Sequence, residues 1–385
     1  MYDMNRTLLI LIASFFILLS PKTNAQVGIT GVPFLQIEAD SRGAGMGNTG
    51  VALADNAAAL FWNPAGLAYQ RDNQASFTHS NWLANFGVND LFYDYLVVKQ
   101  YVEGIGTIGG HITFLNLGEQ VNTTAGGEEG ARFNSYEFAL GFSYGTEINK
   151  NLAVGGGARL IYSSLASGIQ VGGQKINPGS SVGVDLAMLY KSDPFDFGQS
   201  DAIASFGINL SNLGPGIQYS DNAQKDPLPT VLRFGPAINF GLDKDRINEL
   251  TIAVDITKIM ARQEAYEVQS GDSTFFEFRA VSPLRALVES WSTYRPLDPN
   301  TGTRTNVSLV EQFMIGAGLE YWYDRKFAIR GGYYYESPDN GDREFITFGA
   351  GLRYNQFGVD FSYIKTLESQ SPLANTLRFS ILLNY

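Results

Sequence analysis

From about residue 74 onward, apolar side chains recur at every second position in one segment after another. In Ser135–Tyr144, the residues Tyr136, Phe138, Leu140, Phe142 and Tyr144 share one face. Ser135, Glu137, Ala139, Gly141 and Ser143 share the other. Leu152–Tyr162, Val182–Tyr190 and Leu377–Tyr385 repeat the pattern. A period of two is the spacing of an extended strand with two unlike faces. Roughly 10–13 residues per segment is long for a soluble sandwich but suits a tilted strand crossing an apolar band of about 25 Å.

The second face separates a membrane barrel from a secreted sandwich. It is rich in Gly, Ala and Ser and carries single charges: Arg159, Asp185, Arg233, Asp255, Glu320, Arg330 and Arg353. That composition suits a polar or packed barrel interior. Aromatics collect at segment ends, as in Tyr321-Trp322-Tyr323 and Tyr333-Tyr334-Tyr335, where amphipathic rings form interfacial girdles. Only 17% of residues are charged, 13% are aromatic, and there are 42 glycines. An average soluble domain has about 25% charged residues.

The pattern predicts an all-β fold, a 14-stranded antiparallel transmembrane β-barrel. Its strands are placed at 74–82, 91–101, 104–115, 134–146, 151–163, 180–191, 201–212, 230–242, 248–258, 310–323, 326–336, 343–355, 356–367 and 373–385. Short and long connections alternate along this series. The turns at Val102-Glu103, Glu147–Lys150, Asp243–Ile247, Asp324-Arg325 and Asn355 are short. Connections 116–133, 164–179, 213–229 and 259–309 are long. Outer-membrane barrels have short periplasmic turns and longer outer loops, so an even count places both termini in the periplasm.

The remaining segments divide the chain into a signal peptide (1–25), an amino-terminal hatch (26–73) and the barrel (74–385). Leu8–Leu19 is apolar but too short to span a bilayer as a helix, and Thr23 and Ala25 suit a cleavage site before Gln26. The start codon is Met1 or Met4. Within the hatch, Asp55 is expected to cap a brief helix over Ala57–Phe61. Asn63 must leave the helical region ahead of Pro64. Gly45-x-Gly47-x-x-Gly50 spells a dinucleotide fingerprint, but no strand–helix–strand unit surrounds it. The three glycines are read instead as backbone passing close to a barrel wall. In the 259–309 loop, Ser282 is expected to cap a short amphipathic helix over Ser282–Trp291, with Leu284, Leu287 and Trp291 on one face. It is a lid or a partner-contact element.

The chain has no cysteine, so thiol and Cys-metal chemistry is excluded. A net charge of −11 argues against nucleic acid. His79 and His111 stand alone in strands, Asp339 and Asp342 fall in a polar turn, and no catalytic, metal or cofactor pattern is present. The chain is read as a non-enzyme.

The stretch RGAGMGNTGVALADNAAALFWNPAGLAY, ending on Asn63-Pro64-Ala65, resembles the hatch of FadL-type outer-membrane proteins, which are fourteen-stranded barrels. VPFLQIEADSRGAGMG (Val32–Gly47), GGGARLIYSSLASG (Gly155–Gly168), NLSNLGPGIQY (Asn209–Tyr219), LPTVLRFG (Leu228–Gly235), LEYWYDRKFAIRGGYYYE (Leu319–Glu336) and SPLANTLRF (Ser371–Phe379) are similar to the PorV family of the Bacteroidetes type IX secretion system. That resemblance implies an outer-membrane carrier that binds the carboxy-terminal signal domain of cargo at the translocon barrel. It would deliver cargo to a PorU-type sortase complex. The competing expectation is a FadL-like channel for fatty acids or other hydrophobic molecules, which needs an apolar track through the hatch; Phe34, Leu35, Leu60, Phe61 and Trp62 either line it or, the favoured reading, pack the hatch against the wall.

Overall fold

The structure, a computed structural model, describes residues 30–83, 90–123, 127, 129–171, 174–220, 225–270, 273–297, 303–367, 371 and 373–385. The expected signal peptide lies outside them. One antiparallel sheet holds fifteen strands, of which the three-residue strand Phe195–Phe197 only extends a turn, leaving fourteen in the ring. They are β1 (Gln74–Asn81), β2 (Phe92–Val102), β3 (Gly106–Thr123), β4 (Glu129–Asn149), β5 (Leu152–Ser164), β6 (Gly179–Lys191) and β7 (Ser200–Leu213). The ring continues through β8 (Val231–Gly241), β9 (Asn248–Ile259), β10 (Phe313–Tyr323), β11 (Phe327–Tyr335), β12 (Glu344–Tyr354), β13 (Phe357–Thr366) and β14 (Leu377–Asn384). Neighbours in sequence pair, and β1 pairs with β14 from Gln74↔Asn384 to Ser80↔Arg378, which closes the barrel.

Closure follows from the solvent that such a sheet meets. Hydrocarbon offers no partner to an unpaired N–H or C=O, so a membrane sheet has no edge. The alternation then decides which residues meet lipid. Leu140, Phe142, Leu160, Leu186, Leu319 and Phe379 are exposed on the outer face. Glu137, Arg159, Asp185, Asp255, Glu320, Arg330, Asp360 and Arg378 are buried on the inner one. Phe114, Tyr136 and Tyr162 stack across β3, β4 and β5 with centroids 6.1–6.2 Å apart, forming one arc of an aromatic girdle. No helix among the described residues is long and apolar enough to cross a membrane. The chain is an outer-membrane-type barrel that crosses with strands.

One end of the barrel carries tight turns. At β10–β11, Asp324 and Arg325 both take positive φ (51° and 49°), the geometry of turns that follow the twist of a hairpin. At β8–β9, the Asp243 carboxylate accepts from the Asn248 side chain and backbone N–H and from the Ile247 N–H, at 2.7–2.9 Å. The Asn248 side-chain bond leads in holding Asp243 below the usual carboxylate range.

Several expectations need correction. β3 and β4 run past the expected ends at 115 and 134, so most of the expected 116–133 loop is a projecting hairpin. Beyond the bilayer both faces meet water, and the alternation that marks a strand fades. The 259–309 connection holds an unexpected hairpin, Gln263–Ser270 with Ser273–Ala280. Its helix spans Pro283–Glu289, and Ser282 sits before it without a side-chain cap. Asp55 does not cap either. The helix after it is Ala59–Trp62, and Asp55 pairs with Arg42 instead.

Leu319 lies mid-strand on the lipid face of β10. Leu319→Arg is expected to cost about 2–4 kcal/mol, the penalty for a cation near the bilayer midplane. Urea unfolding in lipid vesicles would measure it, with Leu319→Ala as the control.

Candidate functional site

The segment ahead of β1 packs on inward-facing residues of the ring. The segment is built of single turns: Pro33–Gln36, Ser41–Ala44, Ala59–Trp62 and Pro64–Tyr69. None would hold alone, because helices this short do not repay their nucleation cost. What holds them is the wall. Phe34, Leu35, Leu60, Phe61 and Trp62 are all buried and pack with inward residues such as Tyr95, Ala139 and Leu189. Of the two readings of these five side chains, track lining or packing against the wall, the packed one holds in the structure.

The three glycines differ in what confines them, and Gly47 is the one whose nearest neighbours are wall backbone. Gly47 has φ +67°, and a Cβ there would lie 2.6 Å from the carbonyl oxygens of Ala317 and Tyr333. A Cβ on Gly50 would lie 2.3 Å from the Trp62 ring. Gly45 is less confined, its nearest neighbour 3.1 Å from a Cβ. Asn63 is extended (φ −165°, ψ 98°), and its side-chain oxygen accepts from the Ala65 N–H at 3.1 Å, opening the turn at Pro64. The Asn63 amide nitrogen donates to the carbonyls of Val51 and Met188, at 2.7 and 3.0 Å. Pro64 and Ala65 lie against Gly145 and Gly155 of the wall, so closely that a Cβ on Gly155 would stand 2.3 Å from the Ala65 nitrogen.

Inward charges fasten the segment. Arg42 donates to Glu320 of β10 through Nε and Nη2, at 2.8 and 2.7 Å, and also pairs with Asp55. Glu320 accepts from Arg330 of β11 at 2.6 Å, and Arg330 reaches Asp360 of β13 at 2.8 Å. Asp360 accepts from Arg353 of β12 at 2.7 Å. Three guanidinium groups thus alternate with three carboxylates. A second anchor is Asp255 of β9, which accepts the N–H groups of Gly50 and Val51 at 2.9 and 3.0 Å. Further ties are Gly47 N–H to Thr347 Oγ1 (2.8 Å), Ser41 N–H to Ser380 Oγ (2.9 Å) and Asn209 Nδ2 to the Trp62 carbonyl (3.0 Å).

Two small voids flank Arg233, of about 30 and 10 Å³. Its guanidinium lies over the Trp62 ring, 4.8 Å from the centroid. Such voids admit a water or two, whereas sites for small apolar ligands run to about 300–1,000 Å³.

At the long-loop end, a cleft of about 400 Å³ is lined by Arg262, Glu264, Tyr266, Tyr294, Arg295 and Arg304, among others. The helix Pro283–Glu289 is beside it. Ser282 and Leu284 are exposed, Leu287 is partly covered, Trp291 is exposed, and Ala286 is the residue the helix buries. The expected apolar face of Leu284, Leu287 and Trp291 is therefore not the packed one. His111 is buried in β3, while His79 is half exposed and pairs with Asp94 at 2.7 Å. Among the described residues no group of His, Asp and Glu is placed to hold a metal.

The sequence reading missed Arg42, Asp40 and Asp360 as anchors. Asp40 accepts from the Trp62 indole N–H at 2.7 Å. Their signal is faint, a lone charge whose partner lies from 7 positions away (Asp360 with Arg353) to 278 (Arg42 with Glu320), with no local pattern to name it.

With this geometry in place, the comparisons with known proteins can be read. The model of the family described as "Type IX secretion system protein PorV" matches residues 20–264. The chain belongs to the PorV family. Curated protein sequences give no match. Among solved structures, this PorV-family barrel is similar to a mutant of the TodX monoaromatic hydrocarbon channel, at 11% identity and a TM-score of 0.50, over 90% of this chain and 98% of that one. The Ralstonia pickettii toluene transporter TbuX aligns at 15% identity and a TM-score of 0.49, over 90% and 97% of the two chains. At such identities the TodX likeness speaks to the fold alone, which is FadL-like.

Removing Glu320 would leave Arg42 and Arg330 short of a buried counter-charge. Glu320→Ala is expected to destabilise the barrel by about 3–5 kcal/mol. It should also raise protease sensitivity within 31–73, and Glu320→Gln should fall between the variant and the parent. Denaturant titration and limited proteolysis in detergent would read both effects.

Proposed function

We propose that the chain serves type IX protein secretion as a filled docking barrel. It binds the carboxy-terminal signal domain of cargo at the translocon and carries it to the PorU-type sortase complex. The observation that carries this reading is membership of the PorV family over residues 20–264. In this reading the segment 26–73 is a hatch that holds the lumen shut. The short-turn end and both termini face the periplasm, and the long loops face outward to partners. The polar cleft between Arg262 and Arg304 is the contact site. Its mixture of Tyr and Arg is the composition that protein interfaces favour.

A second reading is a FadL-like channel for fatty acids or other hydrophobic small molecules. On fold alone this reading has the better support, because the TodX channel shares the barrel across 90% of this chain. It requires the packed segment around Trp62 to move, since the voids beside Arg233 are too small for an acyl chain.

Charge reversal at the cleft rim separates the two. Arg295→Glu with Arg304→Glu is expected to leave a heat-modifiable barrel in the membrane while cargo accumulates in the periplasm. Unchanged surface delivery by that variant would count against the docking reading. Uptake of radiolabelled fatty acid that disappears with the gene and returns with it would establish the channel.

A further inference from the structure

We propose that the helix Pro283–Glu289 and the Trp291 that follows it form an interfacial foot, resting on the lipid at the long-loop end of the barrel. This inference does not depend on either functional reading.

It starts from Lys258. Positions 252, 254, 256 and 258 of β9 share the outer face, where Ile252 is exposed, and Lys258 is paired laterally with Leu232 and Phe313. A lysine in the outward phase should be solvated or lipid-exposed, yet Lys258 is 0% exposed. The β9–β10 connection covers it. Its Nζ donates to Gln312 Oε1 at 2.5 Å and lies 5.5 Å from the centroid of the Phe313 ring. Arg262 donates to the same Gln312 oxygen at 2.9 Å and to the carbonyls of Ser290 and Ser292 at 3.3 and 3.0 Å. Gln312 returns a bond to the Ser292 carbonyl at 3.0 Å. Three polar side chains thus clamp the loop over the outer flank of the wall rather than over its mouth.

The clamp places Trp291 where an interfacial tryptophan belongs. Its ring lies 6.4 Å from that of Phe313, which opens β10 on the outward phase. Tyr323 closes the same eleven-residue strand. At about 3.4 Å per residue and a tilt of about 40–45°, the two rings are roughly 25 Å apart along the membrane normal, the height of the apolar band. Phe313 and Trp291 are therefore level with the second interface, the depth at which tryptophan is enriched. Leu284, Val288 and Trp291 follow one helical stripe, i, i+4 and i+7, and are 72%, 75% and 48% exposed. Arg285 is neutralised by Glu264 and Glu289 at 2.6 and 2.5 Å. An apolar stripe continuous with the lipid-facing wall, beside an ion-paired flank, is how an amphipathic helix lies in a bilayer surface.

The test uses the full chain reconstituted in phosphatidylcholine vesicles, where the difference between parent and Trp291→Phe isolates one tryptophan. The expected result is quenching of that difference signal by lipid brominated high on the acyl chain, with little quenching by aqueous iodide. Leu284→Asp with Val288→Asp should shift the Trp291 emission to the red and restore iodide quenching. Iodide quenching in vesicles without bromolipid quenching would overturn the proposal and make the stripe a water-facing protein contact. If the double aspartate variant fails to fold, the comparison of parent with Trp291→Phe still decides.

Discussion

The structure depends on one rule: inside a bilayer, every backbone N–H and C=O must find its partner within the protein. A strand here cannot end a sheet, so β14 must return to β1, and it does so through seven paired positions. The consequence is a ring of fourteen. Eight strands enclose only their own side chains, whereas larger rings enclose space. Here the amino-terminal segment packs on inward residues of that ring, and features of the inner wall go with that contact.

A segment packed on the inner wall changes what that wall needs. The segment's backbone comes within touching distance of the strands, so the wall carries glycine where the two meet, as at Gly155 against Pro64 and Ala65. A segment of isolated turns leaves many N–H groups without partners of its own. Asp255, Thr347 and Ser380 supply acceptors from three different strands. The chain of charges from Asp55 to Arg353 is sensitive to the loss of any one member. Desolvating buried ions offsets most of their attraction, while losing one partner is costly.

Much of this was legible in the sequence, and for a reason. Strand count and facing follow from a local period of two, and the turn positions follow from polar interruptions of it. The boundaries of β3 and β4 were not legible, because a hairpin standing in water on both faces has no reason to alternate. Asp55 illustrates a different loss. It has the right chemistry and the right place to cap a helix, but Arg42, thirteen residues earlier, offers a stronger partner once the segment is folded. Lys258 did leave a trace, a charge in the apolar phase of β9. What covers it lies more than fifty residues away, in Gln312.

The sequence by itself determined the all-β barrel, its fourteen strands and the inward or outward phase of the residues along them. These properties are written in neighbouring residues, since side-chain direction in a strand is set every two positions. The tertiary structure decided which charges pair, where the amino-terminal segment sits, and that the β9–β10 connection lies over the flank of the wall. Those outcomes depend on residues brought together by ring closure, and no local pattern encodes a contact between positions 42 and 320 or between 258 and 312.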